Sequence, residues 1–214
     1  MKKNTEARPR WKNFVVSLKR VRERRLRVIR QMNALNQPFE IVDACDAKQV
    51  RPELLVCGPR PWDLSNGEVA TYYSHLGLME RIVDYGLDYA IVLEDDFLFG
   101  NAQRLTMDNV HELMPVDADH IQLHDIRDHF SKEYAVAERG ELFNRLSCTN
   151  VMTVGYMISR RLAEYLLTYH PLPRMPIDHQ LIEISKQQIF NYYDVNERLI
   201  DADWGGKSEI DDRR

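Results

Sequence analysis

Three consecutive carboxylates, Glu94, Asp95 and Asp96, directly follow the apolar run Tyr89–Leu93. A continuous apolar run is typical of a strand buried on both faces, and the carboxyl ends of such strands line the ligand crevice of open α/β sheets. Carboxylate oxygens suit a hard divalent cation such as Mg²⁺ or Mn²⁺, which can also bridge substrate phosphates. The alternative is a turn of solvated acids, or acids that stabilise a helix N-terminus. Because carboxylates beside a buried strand are costly unless neutralised, we favour the metal site.

An adjacent acid and imidazole form the second candidate. Asp178 and His179 follow Pro176, where a helix is predicted to start. Asp178 could be the general base that deprotonates an acceptor hydroxyl, and His179 could offer a ring nitrogen to the metal. The alternative is an aspartate that stabilises the start of its own helix, with a surface histidine behind it.

A histidine in the middle of a predicted helix is the third candidate. Ser65 and Glu68 have the spacing of a capping box, which predicts a helix start. His75 lies two turns after Glu68 on the same face. We interpret His75 either as a contact to a ligand in the crevice or as a half-buried core histidine.

Polar residues at the ends of the first two predicted strands could bind a nucleotide. Asp43 could accept hydrogen bonds from a ribose, or cap a turn. Lys19, Arg20 and Arg24 follow the first strand and could meet phosphates. Each of these three is equally compatible with a solvated helix face.

Strands and helices alternate along the chain, which predicts an α/β domain with a mostly parallel central sheet flanked by helices. We expect a flexible basic N-terminus over residues 1–12 and a single domain over 13–214. The predicted strands cover 13–18, 39–44, 89–93, 120–125, 150–159 and 189–193. The predicted helices cover 19–35, the segment from Ser65 to Gly86, 160–168 and 177–187.

Composition excludes several classes of protein. No apolar run approaches the roughly 20 residues of a membrane span, and no apolar stretch follows the N-terminal lysines as in a signal peptide. The 3 cysteines have no CxxC spacing, which indicates reduced thiols in a cytosolic protein. Motifs of P-loop, dinucleotide-binding, serine-hydrolase and zinc-protease sites are absent from the sequence.

Residues 1–30 carry twelve Lys or Arg against two Glu, a net +10, whereas the whole chain has a net charge of −4. This asymmetry suggests a phosphate-bearing ligand, an anionic membrane surface or nucleic acid as partner. The alternative is a solvated helix face with a flexible tail.

The ordered motifs of the chain resemble glycosyltransferase family 25, which includes bacterial lipopolysaccharide galactosyltransferases and relatives that glycosylate collagen. The matching segments lie within residues 13–182 and read, in order, VVSLKR, VDA, GEVATYYSHLGLMERIV, YAIVLEDD, VGYMISRRLAEYLL and PIDHQL. The chain departs from the family at Thr71-Tyr72-Tyr73, where small or apolar residues are usual. Ser208-Glu209-Ile210 matches the closing motif only faintly.

The resemblance implies a GT-A-like fold and the inverting transfer of a sugar, usually galactose from UDP-galactose, to a glycan acceptor. It implies Mn²⁺ or Mg²⁺ as cofactor, with Asp96 and Glu94 as ligands, and it favours Asp178 as base and His179 as a further ligand. The donor-binding residues are then expected to be Asp43, Lys19, Arg20, Arg24, His75 and Asp95. The resemblance also implies a cytoplasmic protein of lipopolysaccharide synthesis, and the basic N-terminus could hold it at the inner membrane face.

Two other functions are compatible with the same residues. A two-metal phosphohydrolase or nuclease would use the acid cluster with Asp125 and Asp178. A non-catalytic carbohydrate-binding relative would keep the fold without turnover. Nucleic acid is not an expected partner, because the basic residues lack interleaved aromatic side chains. We expect the acceptor pocket to be built from residues 46–64 and 126–149.

Overall fold

The fold is built on a central β-sheet with helices packed on both of its faces. The computed structural model describes residues 9–49, 64–124 and 136–203 of the 214-residue chain. The strands are β1 (Trp11–Ser17), β2 (Glu40–Asp43), β3 (Tyr89–Glu94), β4 (Phe97–Phe99), β5 (His120–Gln122), β6 (Val136–Glu138), β7 (Phe143–Leu146), β8 (Gly155–Ser159), β9 (Tyr192–Val195) and β10 (Ile200–Ala202). The helices are α1 (Arg22–Ala34), α2 (Asn66–Asp84), α3 (Val110–Leu113), α4 (Arg160–Tyr169) and α5 (Ile177–Ser185).

The main sheet has eight strands in the order β2-β1-β3-β8-β5-β9-β7-β6. Strand β1 is parallel to β2 and β3, and β5 is parallel to β9, whereas β8 lies antiparallel between β3 and β5. The α/β class and the flanking helices are confirmed, but the sheet is mixed where we expected a mostly parallel one. The physical reason is that a continuous apolar run shows both faces of a strand to be covered and does not fix the direction of its neighbour.

Strand β3 is buried on both faces, as its sequence predicts. Ala90 and Val92 face the core beneath α2, α4 and α5, whereas Ile91 and Leu93 face the core beneath α1 and α3. Fully burying a side chain such as that of Val92 or Leu93 contributes about 1.5–3 kcal/mol. The strand is therefore firmly placed, and so are the acids that follow it.

The start of α2 fixes a second wall of the site. The Glu68 backbone N–H donates to Ser65 Oγ (3.2 Å), and the Ser65 backbone N–H donates to Glu68 Oε2 (2.7 Å). This is the predicted capping box. The helix ends before Gly86, whose φ of +60° suits a residue without a side chain.

Helix α1 starts three residues later than predicted, and β1 starts earlier. Leu18 and Val21 close a turn through a backbone hydrogen bond of 3.0 Å, so α1 begins only at Arg22. Trp11 is the first residue of β1, so that part of the predicted flexible segment 1–12 belongs to the sheet. Within the described ranges, no helix combines the length and the apolar character that crossing a bilayer requires.

Candidate active site

One pocket opens where the parallel strands β1, β2 and β3 end. Its floor is the acid cluster after β3, and its walls come from the turn after β1, the turn after β2 and the first half of α2. Six predicted residues meet here: Glu94, Asp95, Asp96, Arg20, Arg24 and His75. The parallel arrangement explains this, since it brings three strand ends to the same edge of the sheet.

Asp95 is the best-anchored acid of the cluster. It is only 8% exposed, and Ser17 Oγ donates to its Oδ2 at 2.7 Å while Arg24 Nη1 lies 3.2 Å from its Oδ1. The guanidinium of Arg27 donates to its backbone carbonyl at 3.1 Å. Asp95 therefore has its charge satisfied by the protein itself.

Asp96 is the acid that the protein leaves unsatisfied. Its Oδ1 is buried and has no hydrogen-bond partner among the described residues. Its Oδ2 lies 3.8 Å from Arg24 Nη1, which is an ion pair without a good hydrogen bond. Burial, together with the charges of Glu94 and Asp95, raises the pKa of Asp96 to about 7, against the opposing effect of Arg24. The described residues therefore stabilise a negative charge on Asp96 only in part.

Glu94 is held by two side chains from other elements. His75 Nε2 lies 3.3 Å from Glu94 Oε1, and Thr153 Oγ1 donates to the same oxygen. Burial disfavours the charged carboxylate, but the hydrogen bond and charge of His75, with Thr153 and Arg24, outweigh it and lower the pKa of Glu94. Glu94 therefore stays ionised beside Asp96.

His75 is a buried member of this network. The residue is 1% exposed, and its Nδ1 lies 2.7 Å from the hydroxyl of Tyr156. With Glu94 at the other ring nitrogen, both polar atoms of the imidazole are occupied. In this arrangement His75 orients Glu94.

The basic residues near β1 mostly point towards acids of the same molecule. Arg24 pairs with the acid cluster as described, and Lys12 pairs with Glu40 at 2.5 Å. Three further pairs are Arg20 with Asp46 at 2.9 Å, Arg25 with Asp43 at 2.7 Å, and Arg27 with Asp203. Much of the N-terminal positive charge is thus used inside the protein.

The remaining predicted donor residues, Lys19 and Asp43, lie beside the pocket. They line a neighbouring groove together with Arg20, Arg22 and Asp46. The side chain of Asp43 is 56% exposed while paired to Arg25. Lys19 follows β1, the strand next to β3, whereas Asp43 ends β2, one strand further from the acid cluster.

Asp178 and His179 lie on another element, in the first turn of α5. Asp178 Oδ2 accepts from the Met152 backbone N–H at 3.0 Å, and its Oδ1 accepts from the His179 backbone N–H at 2.8 Å. Met152 has a left-handed φ of 79°, and the next residue, Thr153, contacts Glu94. Asp178 is thus connected to the acid cluster through a two-residue segment, and neither it nor His179 lines the pocket.

The acid cluster fits a divalent cation. The buried, unpartnered Asp96 Oδ1 is the observation that matters, because a carboxylate oxygen is a preferred ligand of Mg²⁺ and Mn²⁺. Among the residues that the structure describes, no three His, Cys, Asp or Glu side chains are grouped as a complete metal site. A cation here would need ligands from a substrate, as is common for Mg²⁺ bound by one or two carboxylates plus phosphates.

Several contributors to the site were missed by the sequence analysis. Ser17, Thr153 and Arg27 reach the acid cluster directly, and Tyr156 reaches it through His75. Ser17 is the last residue of β1, and a polar side chain at a strand end is a usable signal. The predicted Asp125 and most of the predicted acceptor segments lie outside the described residues.

Comparison with known proteins identifies the class. A family model described as glycosyltransferase family 25 (LPS biosynthesis protein) matches residues 10–181. The chain therefore belongs to glycosyltransferase family 25, which confirms the resemblance read from the motifs.

Individual relatives differ in activity. The chain is 27% identical over 165 residues to the lacto-N-neotetraose biosynthesis glycosyltransferase LgtE of Neisseria meningitidis, covering 72% of this chain and 59% of that protein. It is 26% identical over 202 residues to human procollagen galactosyltransferase 2, covering 84% of this chain and 31% of the relative. It is also 30% identical over 183 residues to the mouse inactive glycosyltransferase 25 family member 3, covering 78% and 31%. The chain thus spans about a third of the length of its mammalian relatives.

A solved structure is also similar. It is a glycosyltransferase involved in the glycosylation of the major capsid of PBCV-1, with a TM-score of 0.48 and 9% identity. The match covers 92% of this chain and 95% of that structure.

Proposed function

We propose that this protein transfers a sugar from a nucleoside diphosphate sugar to a glycan acceptor, with the help of a divalent cation. The observation that carries the proposal is the unsatisfied carboxylate of Asp96 beside Arg24 in one pocket. A carboxylate that is only partly neutralised by a neighbouring guanidinium suits a ligand that contains both a cation and phosphates. Membership of the family supports this choice over a phosphohydrolase.

In this proposal Asp96 holds the cation, with Glu94 as a second ligand or as a partner through water. His179, which the sequence offered as a further ligand, lies outside the pocket and is left out of the cation shell. When bound, the cation would stabilise the negative charge that develops on the departing diphosphate. Glu94 is kept ionised and in place by His75 and Thr153. Asp95, already satisfied by Ser17 and Arg24, would shape the pocket towards the donor sugar.

Phosphate and nucleoside recognition is assigned to the residues at the ends of β1 and β2. Arg20 and Arg24 line the pocket and Lys19 lines the groove beside it, so their charges can approach a diphosphate. Asp43 would accept hydrogen bonds from the ribose. The general base is proposed to be Asp178, which would take the proton of the acceptor hydroxyl.

The donor is proposed to be UDP-galactose and the pathway a cell-surface glycan such as lipopolysaccharide. The name of the procollagen galactosyltransferase supports galactose as the sugar, and the family description supports lipopolysaccharide synthesis as the pathway. We also propose a cytoplasmic location on the donor side of the inner membrane.

The test is transfer and binding with the purified protein. The protein is mixed with Mn²⁺ and, in turn, UDP-galactose, UDP-glucose and UDP-N-acetylgalactosamine, with a panel of glycan acceptors. Transfer that stops when EDTA is added supports the proposal. Release of phosphate without sugar transfer would instead indicate a phosphohydrolase.

Asp96→Asn should weaken binding of Mn²⁺ and of UDP together, because the diphosphate depends on the cation. Calorimetry with UDP and Mn²⁺ measures both. Asp84→Asn, at an exposed acid at the end of α2, is the matched control and should bind like the wild type. An Asp96→Asn variant that binds UDP and Mn²⁺ as tightly as the wild type would remove Asp96 from the metal site.

A second candidate function is binding without turnover. It is favoured by the match to the mouse family member described as inactive. In the same experiment, tight UDP binding with no transfer to any acceptor and no phosphate release would select it.

A further inference from the structure

We propose that Arg24 exchanges between two anionic partners: the carboxylates of Asp95 and Asp96 in the nucleotide-free protein, and the diphosphate when a nucleotide sugar binds. The inference rests on the proposed function. It assigns to Arg24 a role beyond phosphate binding, namely that it makes the binding of cation and nucleotide depend on each other.

The first argument is the position of the Arg24 guanidinium. Its Nη1 is 3.2 Å from Asp95 Oδ1 and 3.8 Å from Asp96 Oδ2, and its side chain, 18% exposed, lines the pocket. The contact to Asp96 is longer than a hydrogen bond. Arg24 therefore neutralises the acid pair only partly, and it is within reach of whatever enters the pocket.

The second argument is that Asp95 keeps other partners if Arg24 moves away. Ser17 Oγ donates to its Oδ2 at 2.7 Å, and Arg27 donates to its carbonyl oxygen at 3.1 Å. Removing one ion-pair partner from a buried carboxylate is costly when nothing else satisfies it. Here that cost is reduced, so an exchange of Arg24 from the carboxylates to a phosphate is feasible.

The third argument is electrostatic. While Arg24 lies beside Asp96, its positive charge opposes the binding of a free divalent cation at the same carboxylate. A diphosphate that arrives together with the cation offers Arg24 a new partner with charge-assisted hydrogen bonds. The nucleotide-free protein should therefore bind the free cation weakly, and cation and nucleotide should each strengthen the binding of the other by the same factor.

The test uses Arg24→Gln, which removes the charge but keeps a polar side chain. Manganese binding is measured without nucleotide, from the electron paramagnetic resonance signal of free Mn²⁺. UDP binding is then measured by calorimetry at saturating Mn²⁺. We expect the affinity for Mn²⁺ alone to rise about tenfold and the affinity for UDP to fall about 10- to 100-fold. The two changes have opposite signs, which a general loss of folding cannot produce.

Two further variants sharpen the result. Arg30→Gln changes an exposed arginine of the same helix and should match the wild type in both measurements. Arg24→Lys keeps the charge and should keep the weak Mn²⁺ affinity of the wild type, while it loses part of the UDP affinity because the planar fork is gone.

The outcomes separate this inference from the proposed function. Arg24→Gln with unchanged or weaker Mn²⁺ affinity overturns the exchange, and so does unchanged UDP affinity. If the wild type binds UDP and Arg24→Gln equals it in both measurements, only the exchange is wrong. If the wild type binds no nucleotide at any Mn²⁺ concentration, the proposed function fails and the exchange fails with it.

Discussion

A buried histidine should make the fold sensitive to acid. His120 lies in β5, is 1% exposed, and its ring stacks on Tyr156 and lies against Tyr192, with ring centroids 5.3 Å away in both cases. Neither ring nitrogen has a hydrogen-bond partner among the described residues. Burial lowers the pKa of His120 from 6.5 to about 3, and the charge of the neighbouring Asp119 opposes the shift only in part.

The sign and size of the effect follow from these two pKa values. Between pH 6.5 and 3 the unfolded chain binds a proton at His120 and the folded protein does not, so stability is lost as the pH falls through this window. Each pH unit below the pKa of His120 in the unfolded chain lowers the free energy of unfolding by about 1.4 kcal/mol. At pH 5 the loss relative to pH 8 is therefore about 2 kcal/mol, a large part of the 5–15 kcal/mol typical of a domain.

The variant His120→Phe isolates the contribution of His120 to the pH dependence of stability. Phenylalanine keeps an aromatic ring between the two tyrosines and does not titrate. We expect the variant's free energy of unfolding minus that of the wild type to be about 2 kcal/mol more positive at pH 5 than at pH 8. Urea unfolding followed by circular dichroism at pH 8, 6.5 and 5 measures this difference.

The control is Phe14→Leu, at a fully buried ring of β1 that carries no proton to titrate. Its difference from the wild type should change much less with pH. If the two variants show the same pH dependence, or if the His120→Phe difference is constant from pH 8 to pH 5, the reasoning from burial is refuted.

Three other outcomes are expected. Asp178→Asn should leave UDP binding nearly intact while transfer falls about 10²–10⁴-fold; loss of UDP binding in this variant would place Asp178 in the donor site. Asp119→Ala should lower the free energy of unfolding by about 2–3 kcal/mol. The carboxylate is only 4% exposed and accepts hydrogen bonds from Ser159 Oγ (2.9 Å), Arg161 Nε (2.9 Å) and the Asn191 backbone N–H (3.0 Å). A urea midpoint equal to that of the wild type would contradict this. Binding to anionic vesicles should exceed binding to neutral ones at low salt and vanish at high salt, and equal sedimentation with both lipids would exclude an electrostatic membrane contact.

The sequence is sufficient for the parts of the fold that local patterns determine. The capping box at Ser65 and the apolar run of β3 have strong local signals, and both elements form as predicted. Strands β6, β7 and β10 are short and were not predicted, because three or four residues carry no clear period. The antiparallel placement of β8 depends on pairing across the sheet, which no local pattern encodes.

The same distinction applies to the candidate site. The cluster Glu94-Asp95-Asp96 was recognisable because its three members are consecutive after a strand. The contacts of Ser17 with Asp95, and of Thr153 with Glu94, join residues 78 and 59 positions apart. Nothing near these residues in the sequence marks them as partners. Arg24 was a candidate by its charge alone, and only the fold shows which acids it meets.

The contact of Arg27 with Asp203 ties a distant part of the chain to the pocket floor. Arg27 also donates to the Asp95 carbonyl, and the Asp203 backbone N–H donates to the Asp96 carbonyl at 2.9 Å. Strand β10, directly before Asp203, pairs with β4, directly after the acids. Any ligand that favours this geometry of the acids must favour the docking of β10 by the same free energy, since linkage is reciprocal. Binding of a ligand in the pocket should therefore stabilise the docking of β10 and Asp203 against the acid cluster.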